Sequence, residues 1–277
     1  MPNINQLYGM NIHYRYYDLE YFFKSCSIHG IDNVEIWLCP QHFYINSFFT
    51  ESSDKLINLM EKYNIKIKCL CPEQNNPKPN NIAARGQKLI EYSQSYFEKV
   101  IDLASIVESK LVLITPGWNY YDETPEEARS RSVRMLRELC EYAETKGVTL
   151  ALESIWNKSS LIGDTISKIN EIKERVNMNN LKLAIDLGAI NSAGESVNEW
   201  FDSFGEDIVH CHFVDGTPVG HMPWGLGNLD MKEILQTFSE NGYEGGFSME
   251  YVDSRSFINP GKWDSNTKEL FLKNIQD

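Results

Sequence analysis

DIVHCHFVD, residues 207–215, is the stretch whose reading decides the fold. Its apolar run is short and β-branched, and Asp215, Gly216 and Pro218 close it with turn chemistry. Such a run is a buried strand, so alternation puts Val209, Cys211 and Phe213 on one face and His210 and His212 on the other. Working outward, three more runs share the design: VTLALE ending in Glu153, LKLAID ending in Asp186 and GGFSME ending in Glu250. In each, one alternating set is bulky (Leu150 and Leu152; Leu183 and Ile185; Phe247 and Met249). The other set stays small until its last member (Thr149, Ala151, Glu153; Ala184, Asp186; Gly246, Ser248, Glu250). Barrel strands have this pattern when their outer faces pack on helices and their inner faces line a narrow interior. Glu153, Asp186, His212 and Glu250 are then expected to meet at one rim.

A single acidic residue closing a strand is most often the first polar residue of a loop, and a lone strand histidine is usually a hydrogen-bonded core residue. Four strand ends carrying two Glu, one Asp and one His are a different matter. These are oxygen and nitrogen donors suited to a divalent ion, and three carboxylates buried together without a cation would repel one another and pay for desolvation.

The 277 residues fit one α/β barrel, and no composition shift or flexible linker marks a boundary, so residues 1–277 are expected to form a single (β/α)8 TIM barrel. A net charge of −13 argues against a polyanionic partner such as nucleic acid or an acidic membrane surface. No signal-peptide core and no run of membrane-spanning length is present, which predicts a cytoplasmic location. The six cysteines lack metal-finger or CxxC spacing and read as free buried thiols.

Along the chain, short apolar runs alternate with amphipathic stretches. Strands are expected at Leu7 to His13, from Asn33 (NVEIWL), at IKIKCLC before Pro72, at KLVLITP before Gly117, and at the four runs above. Helices are expected between them, near 18–29, 53–63, 82–108, 124–146, 164–177, 196–204 and 231–241, with a last one near 265–275. Thr124-Pro125-Glu126-Glu127 is a helix start, with the threonine as cap. Strict alternation of eight strands with helices favours a closed barrel over an open sheet, and such barrels carry their chemistry at the C-terminal ends of the strands.

VEIW at strand two, LALES at strand five, AIDLG at strand six, HCHFVD followed by HMPWGLG at strand seven, and GYEGGFSMEY at strand eight occur in one order along the chain. With them the chain resembles the sugar isomerase/epimerase family of xylose-isomerase-like barrels over essentially its full length. The resemblance implies one divalent metal ion held by Glu153, Asp186, His212 and Glu250, with manganese, cobalt, magnesium, nickel and zinc all open. Within that family, VEIW with His42 after it, CPEQN after strand three, LCEYAE, HFVD and GYEGG resemble the fructoselysine 3-epimerases, which implies a ketose-amine substrate inverted at its third carbon. The chain departs from the free-ketose epimerases at Ala189, Pro218 and Ser159, where they carry sugar-contacting His, Arg and Glu. These departures argue against a small free ketohexose. Family members are often dimers or tetramers, so a homo-oligomer is open.

A proton next to a carbonyl is only weakly acidic, and its removal creates an enediolate with charge on two adjacent oxygens, which a chelating cation stabilises. Epimerisation also needs a base on each face of the planar species, and Glu153 and Glu250 are the candidates for those catalytic roles. Glu35 and Trp37 face inward on strand two and are candidate sugar contacts, with barrel-mouth packing the alternative for Trp37. His13, His42 and His221 are candidates too, with a loop histidine bonded to backbone as the alternative, and Glu73 reads first as a solvated loop carboxylate and second as a partner for a substrate ammonium. His210 is expected one layer deeper, as support for His212. An aldose–ketose isomerase of hydroxypyruvate isomerase type, or an inosose-type dehydratase, would use the same groups. A three-zinc DNA-repair endonuclease is disfavoured by Ala189 and the negative charge, and a non-catalytic sugar-binding barrel by the intact ligand set.

Overall fold

The computed structural model describes residues 1–75, 78–217 and 220–276; Pro218 lies outside them. Eight parallel strands close into a barrel in sequence order: β1 Leu7–Met10, β2 Asn33–Trp37, β3 Lys66–Cys71, β4 Leu111–Ile114, β5 Thr149–Glu153, β6 Leu181–Asp186, β7 Ile208–His212 and β8 Gly246–Ser248. Around it run α1 Leu19–His29, α2 Asp54–Tyr63, α3 Gln87–Ile106, α4 Pro125–Lys146, α5 Ile166–Val176, α6 Leu187–Ala193, α7 Val197–Phe204, α8 Met231–Glu240 and α9 Pro260–Gln276. The expected fold class is therefore observed. No helix of the described residues is long and apolar enough to cross a membrane.

The bulky alternating residues Leu150, Leu152, Leu183, Ile185, Cys211, Phe213 and Phe247 join the large core between sheet and helices. Phe247 packs edge-on against Phe213 and Phe238, with Phe271 beside it, so α8 and α9 are pinned to β7 and β8. Each such buried ring contributes about 1.5–3 kcal/mol by leaving water. The small set lines the interior, where Ala151 and Ala184 pack with Met10, Cys69, Cys71 and Leu113. Gly246 is required there, since a Cβ on it would stand 1.9 Å from the Tyr8 ring. All six cysteines are free and buried.

The structure corrects the sequence reading in several places. β1 stops at Met10 rather than His13, because the Asn11 side chain takes over the ladder to β2. Its Oδ1 accepts from Trp37 N at 2.7 Å and its Nδ2 donates to Trp37 O at 2.9 Å, and residues 11–14 turn into a 3-10 helix. β8 ends at Ser248, where Glu250 N and Tyr251 N turn back onto Ser248 O and Met249 O. Val209 does not share a face with Cys211. Against β6, Leu183 pairs with Ile208 and Ala184 with His210, so Val209 is an extra residue at a bulge and Ile208 enters the outer core instead. The third helix starts at Gln87, five residues later than expected, after Gly86 with φ 87°. α6 was not anticipated, and α9 begins at Pro260. The Thr124 cap is as expected: Thr124 Oγ1 accepts from Glu127 N while Glu127 Oε2 accepts from Thr124 N.

Candidate active site

Glu153, Asp186 and His212 are the last residues of β5, β6 and β7, and Glu250 follows β8, so all four arrive at the C-terminal rim. His212 Nδ1 lies 2.6 Å from Glu153 Oε1 and 3.0 Å from Glu250 Oε2. Asp186 reaches the cluster through His221, whose Nε2 stands 3.0 Å from Asp186 Oδ2 and 3.2 Å from Glu250 Oε2. Glu250 thus joins two groups, Glu153–His212–Glu250 and Asp186–His221–Glu250, each close enough to hold a metal ion. Asp186 also caps α6, accepting from Gly188 N at 2.7 Å, and this fixes its carboxylate at the rim.

Beneath this rim Glu35 is fully buried and receives His210 Nε2 at 2.8 Å and His212 Nε2 at 3.3 Å. Burial favours the neutral carboxyl, but the two histidines outweigh it and hold Glu35 well below the usual carboxylate range. In the neutral tautomer that donates to Glu35, His212 Nδ1 carries a lone pair, although Glu153, Glu250 and Glu35 outweigh burial and favour the protonated ring. That atom and Glu153 Oε1 are both buried and neither has a hydrogen-bond partner, although they face each other. Two acceptors converging in this way could hold a cation, and the residues present fit a divalent ion. Burial pushes Glu153 up to about 7, and the neighbouring carboxylates of Asp186 and Glu250 add to the rise. Glu250, with both His212 and His221 beside it, is held well below its ordinary value despite its burial.

The cluster opens into a cavity of about 330 Å³. Glu153, Asp186, His221 and Glu250 line one side; Arg15, Trp37, Glu73 and Gln74 line the other. The loop that carries His221 is built around Asp215, a buried carboxylate accepting from the backbone N–H groups of Gly216, Gly225, Gly227 and Leu229 at 2.8–3.1 Å. Gly227 has to be glycine, because a Cβ would fall 2.2 Å from Asp215 Oδ1 and 2.5 Å from the backbone of Gly216.

Of the candidate sugar contacts, Trp37, Glu73 and His221 line this cavity, as does Ser159. Glu35 does not: it lies below the rim as the support of His210 and His212. His13 and His42 are also corrected. His13 is fully buried with Nε2 2.8 Å from Asp264 Oδ1, where α9 packs on the turn after β1, and Tyr14 bonds the other oxygen of the same carboxylate. His42 is fully buried, accepting from Asn11 Nδ2 at 2.7 Å and donating to Tyr17 O at 2.9 Å, and burial lowers its pKa. Ala189 is buried within α6. The sequence reading missed Arg15, whose signal was a lone basic residue in YRYYD after strand one, and took Asp215 as a turn residue, a role its four backbone contacts bear out.

The family profile of xylose isomerase-like TIM barrels matches residues 23–275. The chain belongs to that family. Among curated relatives, the fructoselysine 3-epimerase of Shigella flexneri is 27% identical over 236 residues, covering 84% of this chain and 85% of the relative. The inosose isomerase of Bacillus licheniformis is 24% identical over 250 residues, covering 84% and 82%. Among solved structures, a D-tagatose 3-epimerase-like protein superposes with a TM-score of 0.80 at 21% identity, covering 97% of this chain and 99% of that one. This last likeness is one of fold.

Proposed function

We propose that this chain is a metal-dependent sugar epimerase that inverts C3 of a ketose or an amine-linked ketose of the fructoselysine type. The observation that carries the reading is the placement of two carboxylates, Glu153 from β5 and Glu250 from beyond β8, on one imidazole nitrogen in a cavity of sugar size. Kinship with a fructoselysine 3-epimerase supports the substrate class.

Glu153, Asp186, His212 and Glu250 would hold the ion. When bound, a divalent ion supplies electrophilic stabilisation of the negative charge that develops on adjacent sugar oxygens. Proton movement belongs to the chain's own residues. One glutamate removes the C3 proton, and the enediolate that results is planar at C3. The other glutamate, which reaches the same cavity from a different part of the barrel wall, returns a proton to the opposite face. The roles exchange with the direction of reaction. Asp186 and His212 act as ligands only, and Glu35 holds His212 with Nδ1 turned toward the cavity. His221, between Asp186 and Glu250, is placed to orient a sugar hydroxyl.

Proton NMR in D2O with lysine-linked fructose and a panel of ketoses tests the reading. Deuterium entering at C3 together with the C3 epimer, both lost in Glu153→Gln and Glu250→Gln, is the expected result. Exchange confined to C1 points to an aldose–ketose isomerase instead. Kinship with an inosose isomerase favours a second reading, enolisation of a cyclic inosose at the same site. Exchange with an inosose but with no ketose would establish that one.

A further inference from the structure

In the closed ring, β1–β3 lie across the barrel from β5–β7. The wall of the cavity that faces Glu153 and Asp186 therefore comes from the turns after β1, β2 and β3, and its charged groups are Arg15 and Glu73. The mechanism above uses neither.

Arg15 is half-buried, and its guanidinium lies over the Trp37 ring at 5.3 Å and the Phe257 ring at 4.6 Å from the centroids. Its Nε donates to Ile12 O at 2.9 Å, which fixes the plane of the fork. Among the described residues no carboxylate forms an ion pair with it, although Glu250 and Glu73 act on it from the cavity; Arg134 and Arg137 likewise lack an ion pair, while Arg85, Arg129, Arg131, Arg175 and Arg255 sit on carboxylates. Withdrawing a guanidinium partly from water without an anion is costly, and stacking on two rings offsets only part of that cost. The arrangement is a preorganised fork whose terminal nitrogens lack a protein anion, set into the wall of a cavity. Its natural complement is a planar carboxylate, taken through two parallel hydrogen bonds. A phosphate dianion suits the site poorly, since Glu73, Glu153, Asp186 and Glu250 line the same cavity.

Glu73, with its side chain only 16% exposed, lines the cavity and is already held at 2.8 Å by Lys78 Nζ. Trp37, Trp156 and Val252 add apolar surface to the lining, suited to a methylene chain. Resting on the proposed epimerase reading, we propose that Arg15 is a specificity-determining residue that binds a carboxylate at the non-sugar end of the substrate. The sugar then lies at Glu153 and Glu250, and the substituent crosses the cavity to Arg15.

Calorimetric titration of the full-length, Mn2+-loaded protein with lysine-linked fructose, and with the same compound amidated at its carboxylate, tests this without any variant. The wild-type chain is expected to bind the carboxylate form roughly 10- to 100-fold more tightly. Arg15→Met should bind both as weakly as the wild type binds the amide, and Arg15→Lys should recover part of the preference. Equal binding of the two ligands by the wild type, binding of neither, or a preference that survives in Arg15→Met each overturns the assignment. Deuterium exchange at C3 reads the epimerase proposal separately. Arg15-dependent binding without exchange would sink that proposal and keep the carboxylate site, whereas exchange without carboxylate preference would do the reverse.

Discussion

Replacing Glu35 by glutamine changes one atom and isolates the role of the buried network under the rim. Glu35 accepts from His210 Nε2 and His212 Nε2, and all three side chains are fully buried. A glutamine keeps one carbonyl acceptor and sets an NH2 group against the other histidine, so one imidazole has to change tautomer and accept instead. If His212 changes, its proton moves to Nδ1, the atom that faces Glu153 and Glu250. If His210 changes, the proton arrives at an Nδ1 that has no partner. The contact to His212, at 3.3 Å, is longer than the 2.8 Å contact to His210, so His212 is the ring expected to yield. Loss of a charge-assisted hydrogen bond should cost about 1.5–3 kcal/mol of stability, and supporting carboxylates of this kind are worth roughly 10- to 100-fold in metal affinity. The weaker His212 contact places the expectation near the lower end, about tenfold. Urea unfolding of the metal-free protein reads the first quantity, and competitive Mn2+ titration reads the second. A variant that loses stability yet binds Mn2+ as the wild type does would refute the reasoning, since His212 would then present Nδ1 without help from Glu35.

Three further outcomes are expected. His13→Gln should lower the urea midpoint, because His13 faces the buried Asp264, while KM for the sugar at permissive temperature stays unchanged; a raised KM would restore His13 as a substrate contact. Removal of divalent ions with EDTA should lower the thermal midpoint, and Mn2+ at a hundred times its dissociation constant should return about 2.7 kcal/mol, an increment that Glu153→Gln reduces. Asp207, against whose partial burial Lys173 and Lys182 act, has a lowered pKa. Such a group adds stability above its unfolded pKa and loses it as the pH falls through the folded one. Asp207→Asn should therefore cost about 0.5–1 kcal/mol at pH 7, a figure discounted for solvent screening, and the difference should fade below about pH 4 in urea titrations across pH.

Much of this protein was legible along the chain because the decisive signals are local. Alternation in VTLALE, LKLAID and GGFSME separates an outer from an inner face whatever the rest of the molecule does, and eight such runs between amphipathic stretches admit few architectures. A strand end is also a position in space once the barrel closes, which is why Glu153, Asp186, His212 and Glu250 were nameable before any distance was known. Where the reading failed, a side chain had displaced a local preference. Asn11 replaced the β1 ladder and turned His13 away from the cavity toward Asp264. An unpaired Val209 broke the alternation on β7.

The sequence by itself determined the barrel, the rim residues and the kinship, since periodicity and the order of motifs survive without coordinates. Only the tertiary structure decided which atoms converge. It placed Glu35 beneath His212 instead of in the cavity, brought His221 between Asp186 and Glu250, and set Arg15 between two aromatic rings across from the carboxylates. The physical reason is separation along the chain. Glu35 and His212 are 177 residues apart, and no local pattern records a contact made only when the ring of strands closes.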